Sequence, residues 1–278
     1  MTHLHRPGFG QPYAEVIGDP IAHSKSPAIH KFWLDKLDLE GEYRATRVAA
    51  ADLAAFIADR RADPAWRGCN VTLPHKITVM DLIDDPGSVR ASIGAMNTVL
   101  RDRVGVLTGT NTDAGGFFTP IADLPLAGQP VAVVGTGGAA HAVLFALSRV
   151  GVGPVTVLAR NPLKGAALLA RFGLKGNVQS LAVPLPPVAL LVQTTQLGMT
   201  GQPPLDIDLS PLPDDAVVYD IVYAPLVTPL LAAAVERGLE VVDGLEMLIG
   251  QAALAFELFF GVVPPRDADE ELRAVLTA

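Results

Sequence analysis

The chain has 278 residues, half of them apolar, with few aromatics and a net charge of −8. That length suits two domains better than one core. The acidic balance argues against a nucleic-acid or anionic-membrane partner, because either needs a basic face; a small anionic ligand, which responds to local charge, stays compatible.

Cys69 is the only cysteine, so no internal disulfide forms and a reducing compartment is expected. It reads as a small buried side chain at a strand end. Met1 to Pro12 carries no charged-then-apolar leader pattern, and charged or polar residues interrupt every apolar run before it reaches a membrane span. The expectation is a soluble, cytoplasmic protein.

Strand and helix patterns alternate along the chain. Tyr13 to Ile17 predicts a strand, followed by a polar loop and a helix opening near Pro27. Glu42 to Val48 predicts a second strand, and Ala51 to Arg60 a helix with Leu53, Phe56 and Ile57 on one face. Cys69 to Thr72 is a third short strand, with a helix expected from about His75. Ala95 to Leu100 and Val104 to Thr110 read as two strands separated by the turn-like Arg101-Asp102-Arg103, and a helix starts near Asp113. The segment from Asp123 to Pro130, with two prolines and a glycine, is punctuation at a domain boundary.

Beyond it, Val131–Val134, a helix over Gly138–Val150, a strand over Val155–Ala159 and a helix over Pro162–Phe172 form one βαβα unit. Strands near Leu190, at Val217–Ile221 and at Val241–Val242 continue it. This alternation implies a parallel, doubly wound α/β sheet. Leu245 to Phe260 is a long apolar helix with polar positions at Glu246, Gln251 and Glu257, too apolar to lie on a surface.

Chemistry concentrates in three places. Gly68 to Lys76 and Gly109 to Asp113 both run from apolar into polar residues, one closing on a lysine and the other on an aspartate. A lysine beside a carboxylate can pass a proton to or from a substrate oxygen, so Lys76 and Asp113 are the catalytic candidates. The third place is Gly135-Thr136-Gly137-Gly138-Ala139-Ala140, after a strand and opening a helix. There Gly135 permits the tight turn, Gly137 lets backbone N–H groups approach a pyrophosphate, and the small Ala140 allows close packing. At the end of the next strand stands Ala159-Arg160-Asn161, with no acidic side chain for a ribose 2′-hydroxyl. A guanidinium suits a 2′-phosphate, which favours NADP over NAD; a solvated arginine closing the strand is the plainer alternative. His23 and His30 have no familiar ligand spacing, and no metal is expected.

Several spaced motifs occur together: Gly18 to His30, Asn70 to Lys76, Gly94 to Thr98, Asn111 to Asp113, Gly135 to Ala140, Tyr219 to Tyr223, and Gly244 to Gln251. With these motifs in this order the chain resembles the shikimate dehydrogenases over nearly its whole length. Two departures fall near the cofactor: Ala159-Arg160-Asn161 where Asn-Arg-Thr is common, and Gln193 where an asparagine is usual.

The resemblance implies a shikimate-binding domain over 1–122, joined by C-terminal helices over about 245–278, and a Rossmann-like NADP domain over 123–244, with the active site in the cleft between them. It implies reduction of 3-dehydroshikimate to shikimate with NADPH on the route to chorismate and the aromatic amino acids, in a monomer or homodimer. Ser24 and Ser26 would bind the substrate carboxylate, although Ser26 before Pro27 also reads as a helix cap. Thr72, Asn97 and Gln251 are neutral groups suited to the ring hydroxyls, and Tyr223 would border both substrate and nicotinamide. Ile221, Gly244 and Met247 join the glycine turn on the cofactor side. A quinate dehydrogenase with relaxed cofactor use is the neighbouring alternative; a dinucleotide sensor without catalysis would have lost Lys76, Asn97, Asp113 and Gln251.

Overall fold

A computed structural model describes residues 10–102 and 104–278. Arg103 of the expected turn, and most of the segment inspected for a leader, lie outside the described residues. The chain divides into two compact units, residues 1–112 with 252–278, and residues 113–251. Relative to the expected divisions at 122/123 and 244/245, residues 113–122 and 245–251 join the second unit, because Phe117, Ile121 and Met247 enter its core.

The first unit holds β1 (Tyr13–Gly18), α1 (Ser26–Lys36), β2 (Glu42–Arg47), α2 (Leu53–Ala62), β3 (Trp66–Val71), α3 (Val89–Ser92), β4 (Thr98–Arg101) and β5 (Leu107–Thr110). Its sheet runs β2-β1-β3-β4-β5, parallel across the first three strands and antiparallel from β3 onward. The β4–β5 hairpin is closed by Asp102, whose Oδ1 accepts from the N–H groups of Val104 and Val106. No α-helix forms at His75; a short 3-10 helix covers Thr78–Asp81 instead. In an α-helix the Lys76 carbonyl would accept from Met80 N–H, but it accepts from Met96 N–H at 2.8 Å, and Met80 turns back to Ile77.

All six residues of β1 are buried, Glu15 among them. Its carboxylate accepts from Arg60 Nε at 2.6 Å, Trp66 Nε1 at 2.8 Å and the Thr46 hydroxyl at 2.5 Å, so the buried charge is paired and ties α2 to the sheet.

The second unit opens with α4 (Asp113–Phe118) and continues with β6 (Val131–Val134), α5 (Gly138–Val150), β7 (Val155–Leu158), α6 (Pro162–Phe172), β8 (Gly176–Gln179), β9 (Leu190–Gln193), β10 (Val217–Asp220), α7 (Pro229–Glu236) and β11 (Glu240–Val242). Helix α8 (Gly244–Phe260) begins here, and its second half, with α9 (Asp269–Thr277), belongs to the first unit. The sheet order is β11-β10-β9-β6-β7-β8, parallel throughout. Numbered within the unit this is 6-5-4-1-2-3, the doubly wound dinucleotide-binding order. Strands β6, β7, β9 and β10 are wholly buried, as sheets covered on both faces require. Along α8, Leu254 and Leu258 are exposed, so the helix is less enclosed than its composition predicts. No helix among the described residues is long and apolar enough to cross a membrane.

Within the first unit His30 is completely buried, its ring stacked on Tyr43 at 3.8 Å and flanked by Trp33, Phe256 and Phe259. Neither ring nitrogen has a hydrogen-bond partner among the described residues. Burial pushes the imidazole down to about 3 from its ordinary 6.5. The unfolded chain therefore takes up a proton at this site that the fold refuses, and stability falls as pH drops from 6.5 toward 3. Urea unfolding should lose about 2 kcal/mol of stability from this site between pH 7 and pH 5. His30→Phe should remove that portion of the slope; an unchanged pH dependence in the variant would place the effect elsewhere.

Candidate active site

In the first unit the candidate residues gather where β1, β3 and β5 end and β4 begins. Ser26 is the first residue of α1, not its cap, and no side chain caps that helix. The hydroxyl of Ser24 accepts from the Ser26 N–H at 3.3 Å. The local hydrogen bond thus belongs to Ser24, the reverse of the cap role read for Ser26, and holds the two serines in one tight turn. Thr72 leaves β3 with its N–H donating to the Ile17 carbonyl at 2.9 Å. Lys76 follows in a turn fixed on one side by the buried His75, whose Nε2 donates to the Val48 carbonyl at 2.7 Å, and on the other by the Met96 N–H.

Asn97 is 2% exposed. Its amide oxygen accepts from Thr112 N–H at 2.7 Å and the Thr98 hydroxyl at 3.0 Å, and its Nδ2 donates to Thr112 Oγ1 at 2.9 Å. Behind it stands Asn70, which accepts from the Tyr43 hydroxyl at 2.6 Å and donates to Thr98 Oγ1 at 3.1 Å. Sequence reasoning missed the supporting roles of Asn70, Thr98 and Thr112. Asn70 opens the motif that closes on Lys76, but its side chain points into the network holding Asn97.

In the second unit Asp113 is buried at the first position of α4, where a carboxylate complements the helix N-terminus. Helices α4 and α8 meet backbone to backbone: a Cβ on Gly116 would come within 2.6 Å of the Gln251 nitrogen and 2.8 Å of the Met247 carbonyl. The fold thereby brings the helix of Asp113 against the turn that carries Gln251, itself buried and donating to the Leu248 carbonyl at 2.9 Å. Ile221 follows β10, its N–H bonded to the Gln193 carbonyl, and Gly244 lies against the Ile221 backbone. Tyr223 is half-buried two residues on, its hydroxyl pushed up by burial. Met247 and Ala140 are core residues of this unit.

The glycine turn sits at the sheet's switch point, between β6 and β9, where ligands bind in this topology. Gly135 has φ +111°, and a Cβ there would reach Thr194 Oγ1 at 2.6 Å. Gly137 differs: its φ is −84° and a Cβ would meet nothing within 4 Å. Nothing within the protein requires glycine at 137, whereas a phosphate approaching the backbone there would. Helix α5 starts there with no side-chain cap and no acidic residue in its first turn, so its amides and dipole are available to an anion. By contrast Asn161, a cofactor candidate, caps α6 by accepting from the N–H groups of Leu163 and Lys164. Arg160 is exposed beside it, and Lys164 adds a second exposed cation on the first turn of α6 that sequence reasoning passed over. A cation there opposes the helix dipole unless an anion lies nearby. These residues fit a 2′-phosphorylated dinucleotide. Gln193, the other departure, is fully buried and braces the following loop through Thr195 and the Leu197 carbonyl. Among the described residues no group of three His, Cys, Asp or Glu could hold a metal ion.

A 3-2-1-4-5-6 sheet with an open helix N-terminus at its switch point, in a chain whose other unit presents hydroxyls, an amide and a lysine, defines a dinucleotide-dependent α/β oxidoreductase. Residues 16–99 match the shikimate dehydrogenase substrate binding domain, and residues 244–272 the shikimate 5'-dehydrogenase C-terminal domain. The chain is 67% identical to the shikimate dehydrogenase (NADP(+)) of Sphingopyxis alaskensis, over 97% of this chain and 98% of that one. Shikimate 5-dehydrogenase from Thermus thermophilus, solved with NADP(H) and shikimate, superposes with a TM-score of 0.83 at 38% identity, covering 95% and 99% of the two chains. Quinate dehydrogenase from Corynebacterium glutamicum, solved with NAD, gives 0.83 at 30%, covering 95% and 99%. The chain belongs to the shikimate dehydrogenase family.

The contrast between the two glycines is testable. Gly137→Ala should leave the melting temperature unchanged and raise the KM for the dinucleotide about tenfold, since only a ligand competes for the space. Gly135→Ala should cost roughly 1–3 kcal/mol of stability, because it adds a clash to a left-handed φ. Equal thermal losses in the two variants would contradict this division.

Proposed function

We propose that the chain catalyses the reversible NADP-dependent reduction of 3-dehydroshikimate to shikimate, on the route to chorismate and the aromatic amino acids. The identity of 67% across nearly the whole length of an NADP(+)-dependent shikimate dehydrogenase carries this reading. The joint retention of Ser24, Ser26, Thr72, Lys76, Asn97, Asp113 and Gln251 supports it.

When bound, NADPH supplies the hydride; the α5 N-terminus would hold its pyrophosphate, Arg160 with Lys164 its 2′-phosphate, and Ile221, Gly244 and Met247 would lie toward its nicotinamide end. The chain's own residues manage the proton and the substrate's orientation. As the ketone carbon is reduced, negative charge gathers on its oxygen, and the Lys76 ammonium donates a proton there to give the hydroxyl. In the oxidative direction neutral Lys76 takes that proton back. Asp113 orients the lysine and accepts from a neighbouring substrate hydroxyl. Ser24 and Ser26 donate to the substrate carboxylate, Thr72 and Gln251 bond the remaining hydroxyls, and Tyr223 borders the reacting carbon. Asn97, held by its network with Thr98 and Thr112, borders a ring hydroxyl. Such a site disfavours analogues lacking a hydroxyl, which would leave its polar groups unpaired. A reducing, cytoplasmic setting suits the buried free thiol of Cys69, in a monomer or homodimer.

Steady-state assays of the purified protein with shikimate and with quinate, each with NADP and with NAD, test the reading. The highest kcat/KM should fall on shikimate with NADP; preference for quinate or NAD would make it a quinate dehydrogenase, and no turnover with any pair would favour a sensor. Lys76→Ala should lower kcat by about 10²–10⁴-fold with a smaller change in KM; near-normal turnover would remove Lys76 from the acid–base role. Arg160→Ala should raise the KM for NADP and barely alter use of NAD. Equal losses with both cofactors would mean that Arg160 does not read the 2′-phosphate.

A further inference from the structure

Strand β10 ends in a carboxylate that the chemistry above leaves unused. Asp220 is 1% exposed. Its Oδ1 accepts from Val222 N–H at 3.0 Å and its Oδ2 from the Thr228 hydroxyl at 2.7 Å. Thr228 Oγ1 in turn accepts from Leu231 N–H and caps α7. One side chain thus grips both ends of the segment from 221 to 228, which carries Ile221 and Tyr223.

The grip comes at a cost in stability. Burial pushes the Asp220 carboxyl up to about 6 from 3.8, against the two hydrogen bonds that lower it. An acid raised in the fold stabilises most below its unfolded value and loses that contribution as pH rises through the folded one. At neutral pH the ionised group therefore works against folding, where a neutral side chain of the same shape would not. Stability alone does not account for a carboxylate here.

We propose that Asp220 is a positioning residue for the reaction: by holding Val222 and Thr228 together it sets the path of the 221–228 segment and so the placement of Ile221 and Tyr223. The proposal rests on the functional reading above, which assigns those two residues to the nicotinamide and the substrate. The glycine turn and Arg160 lie on other segments, so the adenosine end of the dinucleotide is independent of Asp220.

The test compares full-length wild type, Asp220→Ala and Asp220→Asn in shikimate and NADP assays. Each is also measured for its melting temperature and for binding of adenosine 2′,5′-bisphosphate, which represents the adenosine end of the cofactor. Asp220→Ala should lower kcat/KM roughly tenfold, as small misplacements at a reacting centre do, with bisphosphate affinity unchanged. Asp220→Asn keeps an acceptor for Val222 and a donor toward Thr228; it should recover most of the activity and melt at or above the wild-type temperature. Wild-type kinetics in Asp220→Ala overturn the proposal, and so does a parallel loss of bisphosphate binding, which marks general damage to the unit. Should Asp220→Ala fail to fold, Thr228→Val takes its place with Thr228→Ser as the rescue, under the same outcomes. A wild type inactive with every substrate and cofactor pair overturns the functional reading, and this proposal with it.

Discussion

In the first unit the Asn97 carbonyl takes the Val71 N–H at 2.7 Å while the Asn97 side chain takes the Thr112 N–H at the same distance. One residue therefore registers the exit of β3 against the chain leaving β5; Lys76 follows the first exit in sequence and Asp113 the second. The network draws on four further side chains, Tyr43, Asn70, Thr98 and Thr112, to satisfy its buried donors and acceptors. Buried polar groups are favourable only when fully paired. A fault at any member would be felt across the site, since a misplaced Asn97 shifts both exits at once.

In the second unit the helix starts differ in how their first N–H groups are met. Asn161 and Thr228 cap their helices with side-chain oxygens, whereas α5 begins on Gly137 with none. The wholly buried β6 strand leads into that open end, and the tight contact of Gly135 with Thr194 fixes the turn in front of it. A rigid strand behind the turn and room beside Gly137 are what a ligand held mainly by backbone groups requires.

Much of this was legible from residue pattern. Helices α5 and α6 begin and end at the expected residues because glycines follow both and Asn161-Pro162 opens the second. Strand β8 escaped notice: Gly176-Asn177-Val178-Gln179 is a polar edge strand without apolar alternation, defined by its pairing with β7. Helix α7 is absent from the expected elements although Thr228-Pro229 is a cap followed by proline at the first helical position. The expected helix at His75 failed for a tertiary reason, the capture of the Lys76 carbonyl by Met96. At the site, residue types and spacing announced Lys76, Asp113 and the glycine turn. The residues that hold them in place were silent, because an asparagine serving another asparagine looks like any polar residue at a strand end.

Helix α8 passes from the second unit into the first, and this bears on how the chain is made. The core around β1 includes Ala14, Val16 and Tyr43 from the beginning of the chain together with Ala255 and Phe259 from its end. A ribosome delivers every residue of the second unit before it delivers those two. Residues 113–251 can therefore complete their sheet during synthesis, while β1 and β2 wait with an apolar face exposed until the last part of the chain emerges. Pairings of such long sequence separation form slowly. The unit that holds the candidate lysine is accordingly the last to close, and a chain stopped just after Gln251 would present a complete dinucleotide fold beside an unfinished partner.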